Sequence, residues 1–242
     1  MNLPQLAQLS KIDLVGERRA VALLCLSFYA TLFTLMGLIV GIQLPEWAPC
    51  FFGLGACYGI GFFAVAAGWF WGRWFAIGLG YSGLTITGMS IVATHELHTP
   101  MVVFGVMHGL VALCLLGEKM AAQYDARTEW RQRWKLDDRG ALKLQRSVTR
   151  AASGLPTMIM WALAPRPDGE TAALLGLAAL GLSGVLRGRT WGVVLLGTTG
   201  AMTVALTAAG YFPALGVLSG GLLIAAVCPF ILPALAYLRP DR

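Results

Sequence analysis

Ser147–Pro165, SVTRAASGLPTMIMWALAP, is the stretch on which the fold turns. It is short for a membrane-crossing segment, which needs about 20 apolar residues. Whether it crosses fixes the sidedness of everything after it. The chain around it is 57% hydrophobic and only 12% charged, against about 25% charge in a soluble domain. Thirty residues are glycine, as suits helices packed closely in lipid. These values imply an integral membrane protein lying mostly within the bilayer. No polar stretch is long enough for a large soluble catalytic domain, and disorder is excluded for most of the length.

Three apolar segments follow the stretch: Thr171–Leu186, Trp191–Gly210 and Ala214–Leu238. Arg187-Gly188-Arg189 and Tyr211-Phe212-Pro213 separate them. Four precede it: Ala20–Ile42, Cys50–Trp71, Trp74–Ala93 and Pro100–Leu116. Pro100 falls in the first turn of its helix, where the missing N–H is no loss. Met1–Arg19 spaces Leu3, Leu6, Leu9 and Ile12 three apart. That pattern predicts a helix on the membrane surface, with Arg18 and Arg19 stopping the chain at the headgroups. The apolar run behind this lead is too long for a signal peptide, so the first span is expected in the mature protein.

Glu118–Arg150 is the one long polar stretch, with nine basic residues. Trp130 and Trp134 lie a helical turn apart, Glu129 and Arg133 form an i,i+4 pair, and Asp137 or Asp138 is placed to cap a second helix. Two surface helices are expected here, with the tryptophans at headgroup level and the basic side chains on anionic lipid.

The charges test the topology. With eight spans and a cytoplasmic N-terminus, 17 of the 18 Lys and Arg residues are cytoplasmic, and only Arg166 is outside. If 147–165 did not cross, Arg187, Arg189, Arg239 and Arg242 would all move outside. The positive-inside rule therefore favours eight spans, with both termini cytoplasmic, in a cell inner membrane. The expected fold class is all-α and polytopic. Its parts are a surface helix at 1–19, a four-helix unit at 20–117, a basic cytoplasmic loop at 118–150 and a second four-helix unit at 151–242.

The two units resemble each other. Leu79-Gly80-Tyr81-Ser82-Gly83 matches Leu196-Gly197-Thr198-Thr199-Gly200 at an offset of 117, each after a Gly-Arg and a Trp. Gly105-Val106-Met107-His108-Gly109 matches Gly216-Val217-Leu218-Ser219-Gly220 at an offset of 111. An even number of spans returns the chain to its starting side, so this is a parallel repeat, an arrangement found in transporters. In Gly-rich apolar sequence such matches also arise by chance.

All three histidines lie within Thr94–Gly109: His95, His98 and His108. His95 and His98 flank Glu96 in the outer loop. With Met neighbours they suit copper, and paired histidines suit haem; hydrated loop residues are the simpler reading. His95-Glu96-Leu97-His98 is one residue short of a zinc-protease motif. His108 is about nine residues into its span, and an ionisable group at that depth is a functional candidate. Its plainer role is a neutral imidazole bonded across a helix interface, as its counterpart Ser219 could be. Thr85 and Thr203, with other hydroxyls of the third and seventh spans, are candidates to line a passage with His108 and Ser219. The five cysteines sit within or at the edge of apolar segments and read as small buried hydrophobes.

No nucleophile elbow, phosphate loop, dinucleotide fingerprint or catalytic carboxylate pair is present, and nothing supports nucleic-acid binding beyond charge. The sequence favours a permease-like protein for a small solute or metal ion. The alternatives are a non-enzymatic structural or sensory subunit that docks protein partners in a membrane complex, and a copper- or haem-binding redox protein.

Overall fold

Hydrocarbon offers no partner to a backbone N–H or C=O, so a chain this apolar must satisfy its backbone within helices. The computed structural model, which describes residues 15–125, 137–165 and 168–237, has no strand among those residues. In order the elements are α1 (Val15–Gln43), a 3-10 turn (Pro45–Trp47), α2 (Ala48–Ala66), α3 (Gly72–Thr94), α4 (Thr99–Leu115), α5 (Glu118–Asp125), α6 (Asp138–Leu163), α7 (Gly169–Leu186), α8 (Thr190–Ala208) and α9 (Leu215–Tyr237). Five of these are long and apolar enough to cross a bilayer: α1, α2 with the turn before it, α3, α7 and α8. α4 makes a sixth if counted with α5, which bends away from it by 73°. The protein is a helical membrane protein.

Two expectations change. The first membrane helix begins before Arg18 and Arg19 and not after them, since α1 starts at Val15 and runs through both. The second loop helix and the short fifth span are also one continuous helix, α6, capped where the Gly140 N–H donates to Asp137 Oδ1 at 2.7 Å. Most of the expected surface helix at 1–19, together with Trp130, Trp134 and the Glu129–Arg133 pair, lies outside the described residues.

α6 does not count as a span because its first half carries Asp138, Arg139, Lys143, Arg146 and Arg150, which leaves only a short apolar run; the packing shows where that run lies. α1, α2, α3 and α4 form a ring of neighbours, and α6, α7, α8 and α9 form another. The rings meet where α6 lies against α3 and α2. α6 is therefore surrounded by protein and buried continuously from Ala151 to Ile159. A helix that faces other helices, not lipid, keeps small and hydroxyl residues for close approach. Gly78 of α3 marks the contact: a Cβ there would lie 2.5 Å from the Thr149 carbonyl oxygen and 2.6 Å from Ala152 Cβ. Thr149 Oγ1 donates to the Trp74 carbonyl across the same seam at 3.3 Å.

Arginines finish the helices at one end. The last carbonyls of a helix have no partner in the helix itself. Arg18 donates to the carbonyls of Leu113, at 2.8 Å, and Leu116 at the end of α4. Arg73 Nε donates to Leu115 beside them at 2.8 Å. Arg19 donates to Val65 and Ala66 at the end of α2, at 3.0 and 2.8 Å, with Tyr124 of α5 also donating to Val65 at 3.2 Å. Arg150 Nη1 donates to the Ala225 carbonyl at 2.7 Å. That carbonyl lies inside α9, but its helical donor would be residue 229, a proline without an N–H.

The α2–α3 and α7–α8 turns are built alike. Gly68 and Gly188 both have φ 65°, the left-handed conformation that closes a helix cheaply only at glycine. Around Gly68 run Ala67 N–H to Phe63, Trp69 N–H to Ala64 and Gly72 N–H to Trp69; around Gly188 run Arg187 N–H to Ser183, Arg189 N–H to Gly184 and Gly192 N–H to Arg189.

Two outcomes follow from this packing. Gly78→Leu should lower the thermal stability of the purified protein by about 1–3 kcal/mol through overpacking, whereas Gly59→Ala, with open space around it, should leave the melting point unchanged. The second concerns Asp168, whose carboxylate caps α7 by accepting the Thr171 N–H at 2.7 Å. The backbone and side-chain hydrogen bonds from Thr171 hold its pKa below the usual value. A depressed carboxylate contributes stability above its unfolded pKa and loses it as pH falls through the folded one. Asp168→Ala should therefore cost about 1 kcal/mol at neutral pH, and the gap in melting point from wild type should close as pH drops below the carboxylate range.

Candidate functional site

A buried imidazole must have both ring nitrogens satisfied. His108, 1% exposed, meets this requirement within the protein. Its Nδ1 lies 2.8 Å from the Phe104 carbonyl one turn back on α4. A carbonyl only accepts, so Nδ1 carries the proton; a second proton would place an unpaired charge among buried aromatic rings, which leaves Nε2 as an acceptor. Tyr58 of α2 donates its hydroxyl to Nε2 at 2.6 Å. The imidazole is thus the neutral Nδ1–H tautomer. Tyr29 and Phe104 pack on it with ring centroids 4.3 and 4.1 Å away. Gly83 of α3 leaves the space the ring occupies, since a Cβ at that position would overlap it.

The second ring of helices holds a simpler counterpart. Trp161 of α6 donates Nε1–H to Ser219 Oγ of α9 at 3.0 Å. Ser219 in turn reaches the Gly216 and Leu215 carbonyls at 3.3 and 3.4 Å. Phe212 stacks on Trp161 with centroids 5.0 Å apart.

Tyr58 and Trp161 face one cavity of about 360 Å³. Every helix of the first ring contributes to its wall, including Phe33, Leu54, Ile86 and Phe104. Pro156, Met160, Trp161 and Ala164 of α6 and Leu215 of α9 close it from the other side. Trp47 stands at the end where α2 begins and α6 finishes. From Ala164 to Pro156 the cavity runs eight helical residues inward, about 12 Å at the helical rise. The wall is almost wholly aliphatic and aromatic, the composition of a ligand pocket. The polar tips of Tyr58 and Trp161 are spent on His108 and Ser219, so the arrangement can hold an uncharged apolar ligand; the Cys50 thiol is the one nucleophile among the lining side chains.

The expected site residues divide. His108 and Ser219 lie one residue behind the wall, each holding an aromatic side chain that faces the cavity. Thr85 is exposed and bonds back to the Tyr81 carbonyl of its own helix at 2.8 Å. Thr203 is buried and bonds back to Thr199 at 2.8 Å. Neither threonine lines this cavity. His95 and His98 stay exposed in the α3–α4 loop, where His98 Nε2 sits 3.2 Å from Glu96. Among the described residues no group of three or more His, Cys, Asp or Glu could hold a metal ion. With both nitrogens of His108 engaged, the copper and haem expectations find no ligand set there.

Tyr58 and Trp161 were not singled out by the sequence. The available signal is that each is a polar-tipped aromatic inside a span, and such a tip needs a buried partner. No known protein family matches the chain, and comparisons with curated proteins and with solved structures found no match.

Tyr58→Phe leaves His108 Nε2 buried without a donor and should cost about 1–3 kcal/mol of stability. Gly83→Ala should cost a similar amount by displacing the imidazole. Both act on one ring, so the double variant should lose less than the sum of the two. Thermal unfolding of the three variants in the same detergent checks this.

Proposed function

We propose that the protein is a permease-like carrier of the cell inner membrane for a small uncharged solute. It would have eight spans, two parallel four-helix repeats and both termini in the cytoplasm. The observation that carries this is the apolar cavity between the two rings of helices, lined by Tyr58 and Trp161. A site at bilayer depth on the seam of two repeats is where transporters bind their cargo.

Several features support the repeat. Each ring has the same order of neighbours, first to second to third to fourth and back to first. The Gly68 and Gly188 turns share their hydrogen bonds. Arg18 and Arg150, near the start of the first span of each unit, both reach a carbonyl of the fourth. Tyr29 and Trp161 occupy the same place in their units, against His108 and Ser219 respectively. Support for the topology comes from the arginines Arg18, Arg19, Arg73 and Arg150, which gather on helix carbonyls at one end, while Glu46, Glu96 and Asp168 lie at helix starts and loops of the other. The same basic end, with Lys119, Arg139 and Arg146, would meet anionic lipid. An uncharged cargo is favoured because the cavity wall presents no charged side chain.

Initial rates of transfer into sealed vesicles, for uncharged solutes graded from glycerol to a monoacylglycerol, test this. At least one solute should enter faster with wild-type protein than into empty vesicles, and Met160→Trp, which fills the cavity, should remove the difference. Equal rates for wild type, variant and empty vesicles across the whole series would contradict it.

A further inference from the structure

The chemistry of the cavity wall narrows the occupant, resting on the reading of that cavity as the cargo site. An apolar cavity excludes water, since water needs two or more polar partners to stay. An empty cavity of about 360 Å³ would forfeit dispersion contacts on every lining side chain. A polar solute would surrender its hydration to a wall whose free donors are only the Trp47 N–H and the weak Cys50 thiol. The Tyr58 hydroxyl hydrogen is held by His108 at 2.6 Å, and the Trp161 N–H by Ser219 at 3.0 Å. What remains is hydrocarbon, and the bilayer is its source.

The shape adds a direction. Pro156, Tyr58 and Trp161 line the cavity and are all buried. Trp47, just before α2, and Met160, about one turn from the end of α6, are both 38% exposed and are where the lining reaches the surface. Trp47 follows Glu46 in the 3-10 turn, so the mouth sits beside polar groups where indoles prefer the membrane interface. We infer that this cavity holds one hydrocarbon chain of a membrane amphiphile, inserted tail-first toward Tyr58, with the polar head left at the Trp47 mouth.

In the second ring Trp161 and Phe212 pack at a tilt over Ser219, in the place where the first ring is open. One chain is therefore expected in this cavity.

A phosphatidylcholine carrying a photoactivatable diazirine near the end of one acyl chain tests the inference. The full-length protein is reconstituted in phosphatidylcholine vesicles containing this lipid, irradiated, digested and mapped by mass spectrometry. Adducts are expected on the α2 segment around Leu54 and on the α6 segment around Met160, at no more than one per protein. Met160→Trp and, as a second cavity-filling variant, Leu54→Trp should each lose these adducts while keeping a cooperative melt. Val92→Trp, on the lipid-facing surface, should keep them. Adducts confined to lipid-facing positions such as Leu24, Ile39 and Val92, or cavity adducts unchanged in both filling variants, would overturn the inference. This readout is independent of transport. Cavity adducts without vesicle transfer would sink the carrier reading alone, and transfer of glycerol without cavity adducts would sink the chain reading alone.

Discussion

A helix enclosed by other helices needs no lipid-facing surface, and the protein depends on one such helix. α6 joins the two four-helix rings, and its close approach to α3 is set by Gly78 against Thr149 and Ala152. The approach is possible only because both helices present small atoms at the seam, which is how helices associate where burial in hydrocarbon supplies no driving force. The other features follow from where α6 is held. Its N-terminal half carries Arg150 to the carbonyl that Pro229 leaves without a donor. Its C-terminal half brings Pro156, Met160 and Trp161 to the open side of the first ring and turns a gap into a cavity.

Most of the helices were legible in the sequence because lipid reads composition directly. α1, α2, α3, α7 and α8 coincide with apolar runs of the required length. α6 was the hard case for a physical reason: its first half carries five charged residues and its apolar run is short, so no window of hydropathy distinguishes it from a surface segment. The arginines Arg18 and Arg19 were legible as markers of one end but not as helix caps, since the carbonyls they reach belong to α4 and α2, far away in sequence. The register of the internal similarity was also hard to read. Matching Leu-Gly pairs align Gly80 with Gly197, yet it is Gly80 and Gly200 that pack on the fourth helix of their units, against the carbonyls of His108 and Gly220. Gly-rich apolar sequence aligns with itself in several registers.

The site was legible in part. His108 stands out in the sequence as a histidine deep in an apolar segment, and the structure buries it with hydrogen-bond partners on α2 and on its own helix. Its partner Tyr58 is fifty residues away, beyond what spacing can indicate. The cavity could not be read at all, because it is a space left between side chains of six helices. His108 and Ser219 serve similar ends with different chemistry: each accepts from an aromatic tip and so removes a polar atom from an apolar wall. The polar residues of the core make the cavity drier, since every bond they form is one that a ligand cannot use.

The most direct measurement is a high-resolution structure of the protein in phosphatidylcholine nanodiscs. A cavity built to be filled should show continuous elongated density from Trp47 down to Tyr58, with the Tyr58–His108 and Trp161–Ser219 hydrogen bonds intact behind it. A collapsed space, with Met160 packed against Leu54 and no density between the two rings of helices, would contradict it.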